Sequence, residues 1–107
     1  MNINFDEIEE QRMPEFKGGT GAVVARMYFD GTLRALKGYL EAGSSIGMHK
    51  HEGNSESMYF FKGEGKIICD GEETSIGEGS FHFCPDGHTH SLINTGDEPL
   101  YFLFVIA

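Results

Sequence analysis

The stretch GSSIGMHKHEGNSE, residues 43–56, holds two histidines two positions apart, His49 and His51, followed by a carboxylate, Glu56. Side chains two apart point to the same face of a strand, whereas in a helix they diverge. The two imidazoles therefore converge on one point only if this segment is extended. Gly53, Asn54 and Ser55 precede Glu56, a turn composition that lets the next strand return beside the first with its carboxylate facing the same interior. The segment predicts two strands joined by a turn, with three metal-ligating side chains facing inward.

A second stretch, PDGHTHSLIN at residues 85–94, offers a fourth ligand. Pro85 and Gly87 set a tight turn, and His90 sits early in the strand that follows, where its side chain can be aimed. Three neutral imidazoles and one carboxylate suit Mn, Fe, Co, Ni, Cu or Zn, whereas Mg or Ca would draw mostly oxygen ligands. The expectation is one divalent transition metal per chain, held by His49, His51, Glu56 and His90. An octahedral ion with four protein ligands keeps two positions open, and its formal charge of plus one with this donor set favours a small, oxygen-rich organic anion as ligand.

Around these four, other side chains are weaker candidates. His88 shares a face with His90 on a regular strand and is a candidate proton shuttle, with a rim position as the competing reading. His82 faces away from its neighbours Phe81 and Phe83, which makes it a candidate pocket residue. Met58 and Phe60 share the face of Glu56 and read first as core, second as an apolar pocket wall. Tyr39, Tyr59 and Tyr101 carry phenols suited to acid catalysis, but their alternation with apolar residues favours an outer face. Arg26 and Arg34 are candidate anion clamps, against a plain surface placement. Ser44 and Ser45 have no accompanying base, so serine hydrolase chemistry is not supported.

Working outward, the whole chain of 107 residues fits one domain. Its 15 glycines, nine phenylalanines and four tyrosines, with no sustained helical periodicity, favour an all-β fold. Turn formers such as Asp30-Gly31, Asp70-Gly71 and Pro85-Asp86-Gly87 separate short runs rich in β-branched and aromatic residues. The predicted strands are residues 22–29, 32–40, 45–50, 57–62, 66–69, 72–76, 80–84, 88–94 and 100–106. Residues 1–20 read as an N-terminal arm laid over the barrel or over a neighbouring subunit, and residues 21–107 as the barrel itself. Residues 3–13 fit a short helix or an edge strand equally well.

Charge and composition exclude some partners. With 17 acidic residues against 8 Lys plus Arg, the formal charge is −9, which repels a phosphate backbone, so no nucleic acid is expected. The longest apolar run, residues 100–107, falls short of the roughly 18–20 residues that span a bilayer as a helix, so no membrane partner is expected. An acidic start lacks the basic-then-apolar pattern of a secretory signal, and the expected location is cytoplasmic. Cys69 and Cys84 form no CxxC motif and read as small buried hydrophobes rather than as a structural disulfide.

These residues resemble both signature motifs of the cupin superfamily. Gly43, His49-x-His51, Glu56 and Gly63 stand at the spacings of the first motif, and Gly79, Pro85-x-Gly87, His90 and Asn94 at those of the second. The short interval from Gly63 to Gly79 is similar to that of small single-domain microbial members of the cupin 2 type. The resemblance implies a double-stranded β-helix, or jelly-roll, barrel with a metal near its mouth, often in a homodimer that exchanges N-terminal strands. It implies the four ligands already named, with Gly43, Gly63, Gly79, Pro85, Gly87 and Asn94 as turn and scaffold residues. It does not choose a chemistry. The expected function is a small metalloenzyme, whether dioxygenase, decarboxylase, isomerase or lyase. The alternatives are a non-catalytic module that senses a sugar or carboxylate, and a barrel that the metal only stabilises.

Overall fold

Glycine and aspartate turns cut the chain into strands short enough to wind between two sheets. The structure, a computed structural model, describes residues 1–107. It contains ten strands: β1 (Gln11–Pro14), β2 (Ala22–Phe29), β3 (Arg34–Leu40), β4 (Ser45–Lys50), β5 (Glu56–Lys62), β6 (Glu64–Cys69), β7 (Glu72–Gly77), β8 (Phe81–Cys84), β9 (Thr89–Asn94) and β10 (Leu100–Ile106). Two single 3-10 turns, Phe5–Glu7 and Phe16–Gly18, are the only helical pieces.

One sheet has six strands in the order β1-β2-β3-β10-β5-β8, the other four in the order β4-β9-β6-β7. From β4 onward the chain passes back and forth between them, the winding of a jelly roll. All neighbours are antiparallel. The inward side chains of the six-stranded sheet, Leu36, Leu40, Phe60, Phe102 and Phe104, meet Ile46, Ile67 and Leu92 from the other sheet in one buried cluster. Strand alternation produces this arrangement directly, since residues two apart share a face and the apolar set must leave water.

Strand ends match the sequence reading at β2, β4 and β10 and shift elsewhere for local reasons. β3 begins at Arg34 rather than residue 32, because the Asp30 carboxylate accepts the Thr32 and Leu33 N–H groups at 2.9 and 2.8 Å and holds both in the turn. β9 begins at Thr89 rather than residue 88, after Gly87 at φ 87°. Residues 3–13 contain both alternatives, a 3-10 turn at Phe5–Glu7 and the start of edge strand β1.

Three contacts seat the N-terminal segment along the barrel. β1 pairs with β2 of its own chain, and Arg12 forms a two-pronged ion pair with Glu41 at 2.9 and 3.0 Å. The Phe16–Gly18 turn lies against β4, so closely that a Cβ at Gly47 would stand 2.0 Å from the Lys17 carbonyl oxygen. Only glycine admits that approach. At the far end, Asn94 closes the barrel. Its amide donates to the Leu40, Glu41 and Glu98 carbonyls at 3.0, 3.2 and 2.9 Å, and its Oδ1 accepts the Gly96 N–H at 2.9 Å.

Candidate metal centre

Three strands from two sheets build the centre. β4 and β9 pair so that His49 stands opposite His90. His51 lies just beyond the end of β4, and its backbone is fixed there by two bonds to the β8–β9 turn: His51 N–H to the His88 carbonyl at 3.0 Å, and Gly87 N–H to the His51 carbonyl at 2.7 Å. Glu56 opens β5 on the other sheet and reaches across. The parity argument therefore holds for a reason the sequence only half states. His49 is in a strand, while His51 is held by a turn that belongs to the second motif.

The four donor atoms lie within 4.8 Å of one another. His90 Nε2 is 2.9 Å from His51 Nε2 and 3.1 Å from His49 Nε2. Glu56 Oε1 is 2.9 Å from both His51 and His90, and 3.9 Å from His49. With metal–ligand bonds of about 2.1 Å, neighbouring vertices of an octahedron stand about 3.0 Å apart and opposite ones about 4.2 Å. Four of these separations match neighbouring vertices of such a figure and the 3.9 Å from His49 to Glu56 is wider, so the four side chains would hold one six-coordinate ion and leave two of its positions open.

Tautomers point the same way. His49 Nδ1 lies 2.8 Å from the Gly47 carbonyl and His51 Nδ1 lies 2.8 Å from Asn54 Oδ1. Both partners can only accept, so each Nδ1 donates and each Nε2 presents its lone pair to the centre. Those lone pairs and the Glu56 carboxylate face one another with little water, since Glu56, His51 and His90 are 3, 6 and 1% exposed. Such a set of acceptors is stable only around a positive charge. The proton equilibria show the same demand. Burial alone pushes the Glu56 carboxyl up, but the imidazoles of His49, His51 and His90 together hold it well below the carboxylate range. A proton in the metal's place on His51 is held by its hydrogen bond to Glu56, which keeps the imidazole above its ordinary value against the pull of burial. The donor set thus fits a divalent metal ion.

Above the cluster opens a cavity of about 310 Å³ whose walls include His49, His51 and Glu56 together with Met58, Lys17 and Arg34. His90 is seated behind, and its Nδ1 is 3.1 Å from His82 Nε2 with the two rings stacked. His82 therefore supports a ligand and does not line the cavity; burial, then the neighbouring His90, holds its pKa below the ordinary value. His88 is not brought to the cluster. It precedes β9, where strand alternation does not reach, and its ring turns outward to pair with Asp70. Tyr39 lies on the outer face of the six-stranded sheet against Tyr101, with ring centroids 5.5 Å apart. Arg26 binds the Ile8 carbonyl, while Arg34 lines the cavity. Met58 does both things expected of it, packing in the core at 2% exposure and lining the cavity.

Two contributors escaped the sequence reading. Asn54 was legible as a turn former but not as the residue that orients His51, although an Asx side chain three positions after a ligand is a usable signal. Lys17 sits in a segment with no motif at all. Cys69 and Cys84 are free thiols. They stand in register beside His90 and Glu56 respectively, and burial pushes the Cys84 thiol up to about 12, the state of an inert packing residue.

Comparison with known proteins agrees with this geometry. The sequence pattern that defines the cupin domain matches residues 38–106. The chain is similar to the oxalate-binding protein of Thermotoga maritima, 36% identical over 112 residues that cover 99% of this chain and 93% of the relative. It superposes on the crystal structure of a predicted oxalate decarboxylase from Thermotoga maritima with a TM-score of 0.85 and 34% identity, covering 99% of this chain and 97% of the other. An RmlC-like cupin from Shewanella frigidimarina shares the fold, with a TM-score of 0.77 at 19% identity over 94% of this chain and 84% of its own. By its motifs, its jelly-roll winding and its four converging donors, the chain belongs to the cupin family.

Proposed function

We propose that the protein holds one divalent transition metal at His49, His51, Glu56 and His90, and through it binds a small carboxylate of the oxalate kind. The observation that carries this reading is the position of the cluster at the base of a cavity whose other charged residues are the cations Lys17, Arg34 and Lys50 and the single acid Glu52, in a chain that is otherwise strongly acidic. A metal in this donor set supplies a net positive centre and Lewis acidity. The chain's own residues supply the rest: Asn54 and Gly47 aim the imidazoles, Met58 and Phe104 exclude water from one wall, and the cations draw an anion inward. The similarity to an oxalate-binding protein supports the choice of anion.

The test is titration of the cobalt-loaded protein with oxalate and glycolate, followed by its visible absorption. A saturable change with either anion is expected; a spectrum unmoved by both overturns the reading. Turnover at the metal is the second reading, supported by the two positions that four protein ligands would leave open on a six-coordinate ion for a substrate, or a substrate with dioxygen. Binding stands first because His82, His88 and Tyr39, the candidate proton carriers, all lie off the cavity wall.

We further propose that the molecule is a homodimer joined through the outer face of the six-stranded sheet. That face presents Tyr59, Phe61, Phe81, Phe83 and Tyr101, each at least 40% exposed, and strand alternation brings no acidic side chain onto it from β3, β5, β8 or β10. Such an acid-free surface lets two copies of a chain with charge −9 meet without carboxylates facing one another.

A further inference from the structure

Arg34 carries an observation that the metal reading leaves unexplained. Its Nε is shielded from solvent and has no hydrogen-bond partner, although a buried guanidinium N–H is among the groups least often left unpaired. The side chain lines the same cavity as His49, His51 and Glu56. Its guanidinium lies over the Phe29 ring, 4.3 Å from Cζ to the centroid, a cation–π contact that restrains it before any ligand arrives. No carboxylate of the chain pairs with it, even though the chain has 17 acidic residues to offer.

We infer that Arg34 is a specificity-determining anion clamp that grips the metal-distal carboxylate of the ligand, so that the cavity selects dicarboxylates over monocarboxylates. The inference rests on the proposed function and extends it to the ligand's second end. A planar guanidinium with free donors matches a carboxylate in two-pronged fashion. One carboxylate at the metal and a second at Arg34 place two negative charges between two positive centres, and Lys17 on the same wall adds to that field. A monocarboxylate leaves the guanidinium, its shielded Nε included, without a partner and forfeits the gain.

The experiment compares oxalate and malonate with glycolate and lactate, which offer the metal a carboxylate and a neighbouring oxygen but no second carboxylate. Affinities are read from the absorption of the cobalt-loaded wild type, Arg34→Met and Arg34→Lys, with metal content and circular dichroism measured on each. Arg34→Met keeps an unbranched side chain and removes the guanidinium, and because Arg34 is not among the four metal donors it is expected to bind cobalt at wild-type stoichiometry. Dicarboxylate affinity should fall about ten- to a hundred-fold, the worth of a charge-assisted pair, while the monocarboxylates change less than about three-fold. Arg34→Lys should fall between, since it keeps the charge and loses the fork. Equal losses for both anion classes, or no loss for either, overturn the clamp while leaving the metal-anion reading intact. Should the wild type respond to none of the four anions, the clamp and the proposed function fall together.

Discussion

His51 shows how much of the centre depends on small local bonds. Its ring is aimed by Asn54 Oδ1 at 2.8 Å, its backbone by the Gly87 turn, and its Nε2 faces both Glu56 and His90. Asn54→Ala removes the acceptor that fixes the tautomer and is expected to weaken metal affinity ten- to a hundred-fold, with little change in unfolding temperature, as read by competition with a chromophoric chelator. The four donors were legible in the sequence because strand parity and motif spacing state them directly. His82 behind His90, Lys17 on the cavity wall and the outward turn of His88 were not, because each depends on which distant strands become neighbours. Asp70 and His88 are 18 positions apart and meet only through the β6–β7 and β8–β9 turns.

Elements end where a side chain takes over the backbone's hydrogen bonds. The β2–β3 turn is the clearest case. Asp30 accepts the Leu33 and Thr32 N–H groups, and these bonds, Leu33's the larger, hold its carboxyl below the ordinary range. A depressed folded pKa means that the unfolded chain takes up its proton first as pH falls. The stabilisation is thus complete above the unfolded value of about 3.9 and is lost as pH descends toward the folded one. Asp30→Ala is expected to be less stable than wild type at pH 6 in urea unfolding, with the gap narrowing below about pH 4. A gap that widens on acidification contradicts this account of the turn. Such bonds also explain why strand existence was readable from alternation while strand ends were not: the apolar pattern runs on through Thr32 and Leu33, and only the Asp30 geometry stops it.

At the scale of the whole molecule, two sheets are held together by an apolar core at one end of the barrel and by charged and polar donors at the other. Leu40, Leu100 and Phe102 need nothing but exclusion from water. Glu56 from one sheet and the histidines on the other side need positive charge between them, so a metal held there would stabilise the fold as well as serve the proposed function. The outer aromatic face raises a separate prediction. Light scattering behind size exclusion should give twice the chain mass for wild type and the chain mass for a variant carrying Phe81→Asp and Phe83→Asp; a monomeric wild type removes the dimer. The jelly roll was legible from turn spacing and both motifs, whereas the seating of residues 16–18 beside the cavity was not, since glycine at position 47 announces close approach without naming the partner.

The central claim is that His49, His51, Glu56 and His90 form one metal centre, and elemental analysis of protein purified without a metal-affinity tag tests it most directly. Wild type should carry close to one divalent transition-metal ion per chain after dialysis, and His51→Ala, with its fold verified by circular dichroism, should carry little or none. Full metal stoichiometry in that variant, or a wild type that takes up no transition metal when it is supplied, would contradict the assignment.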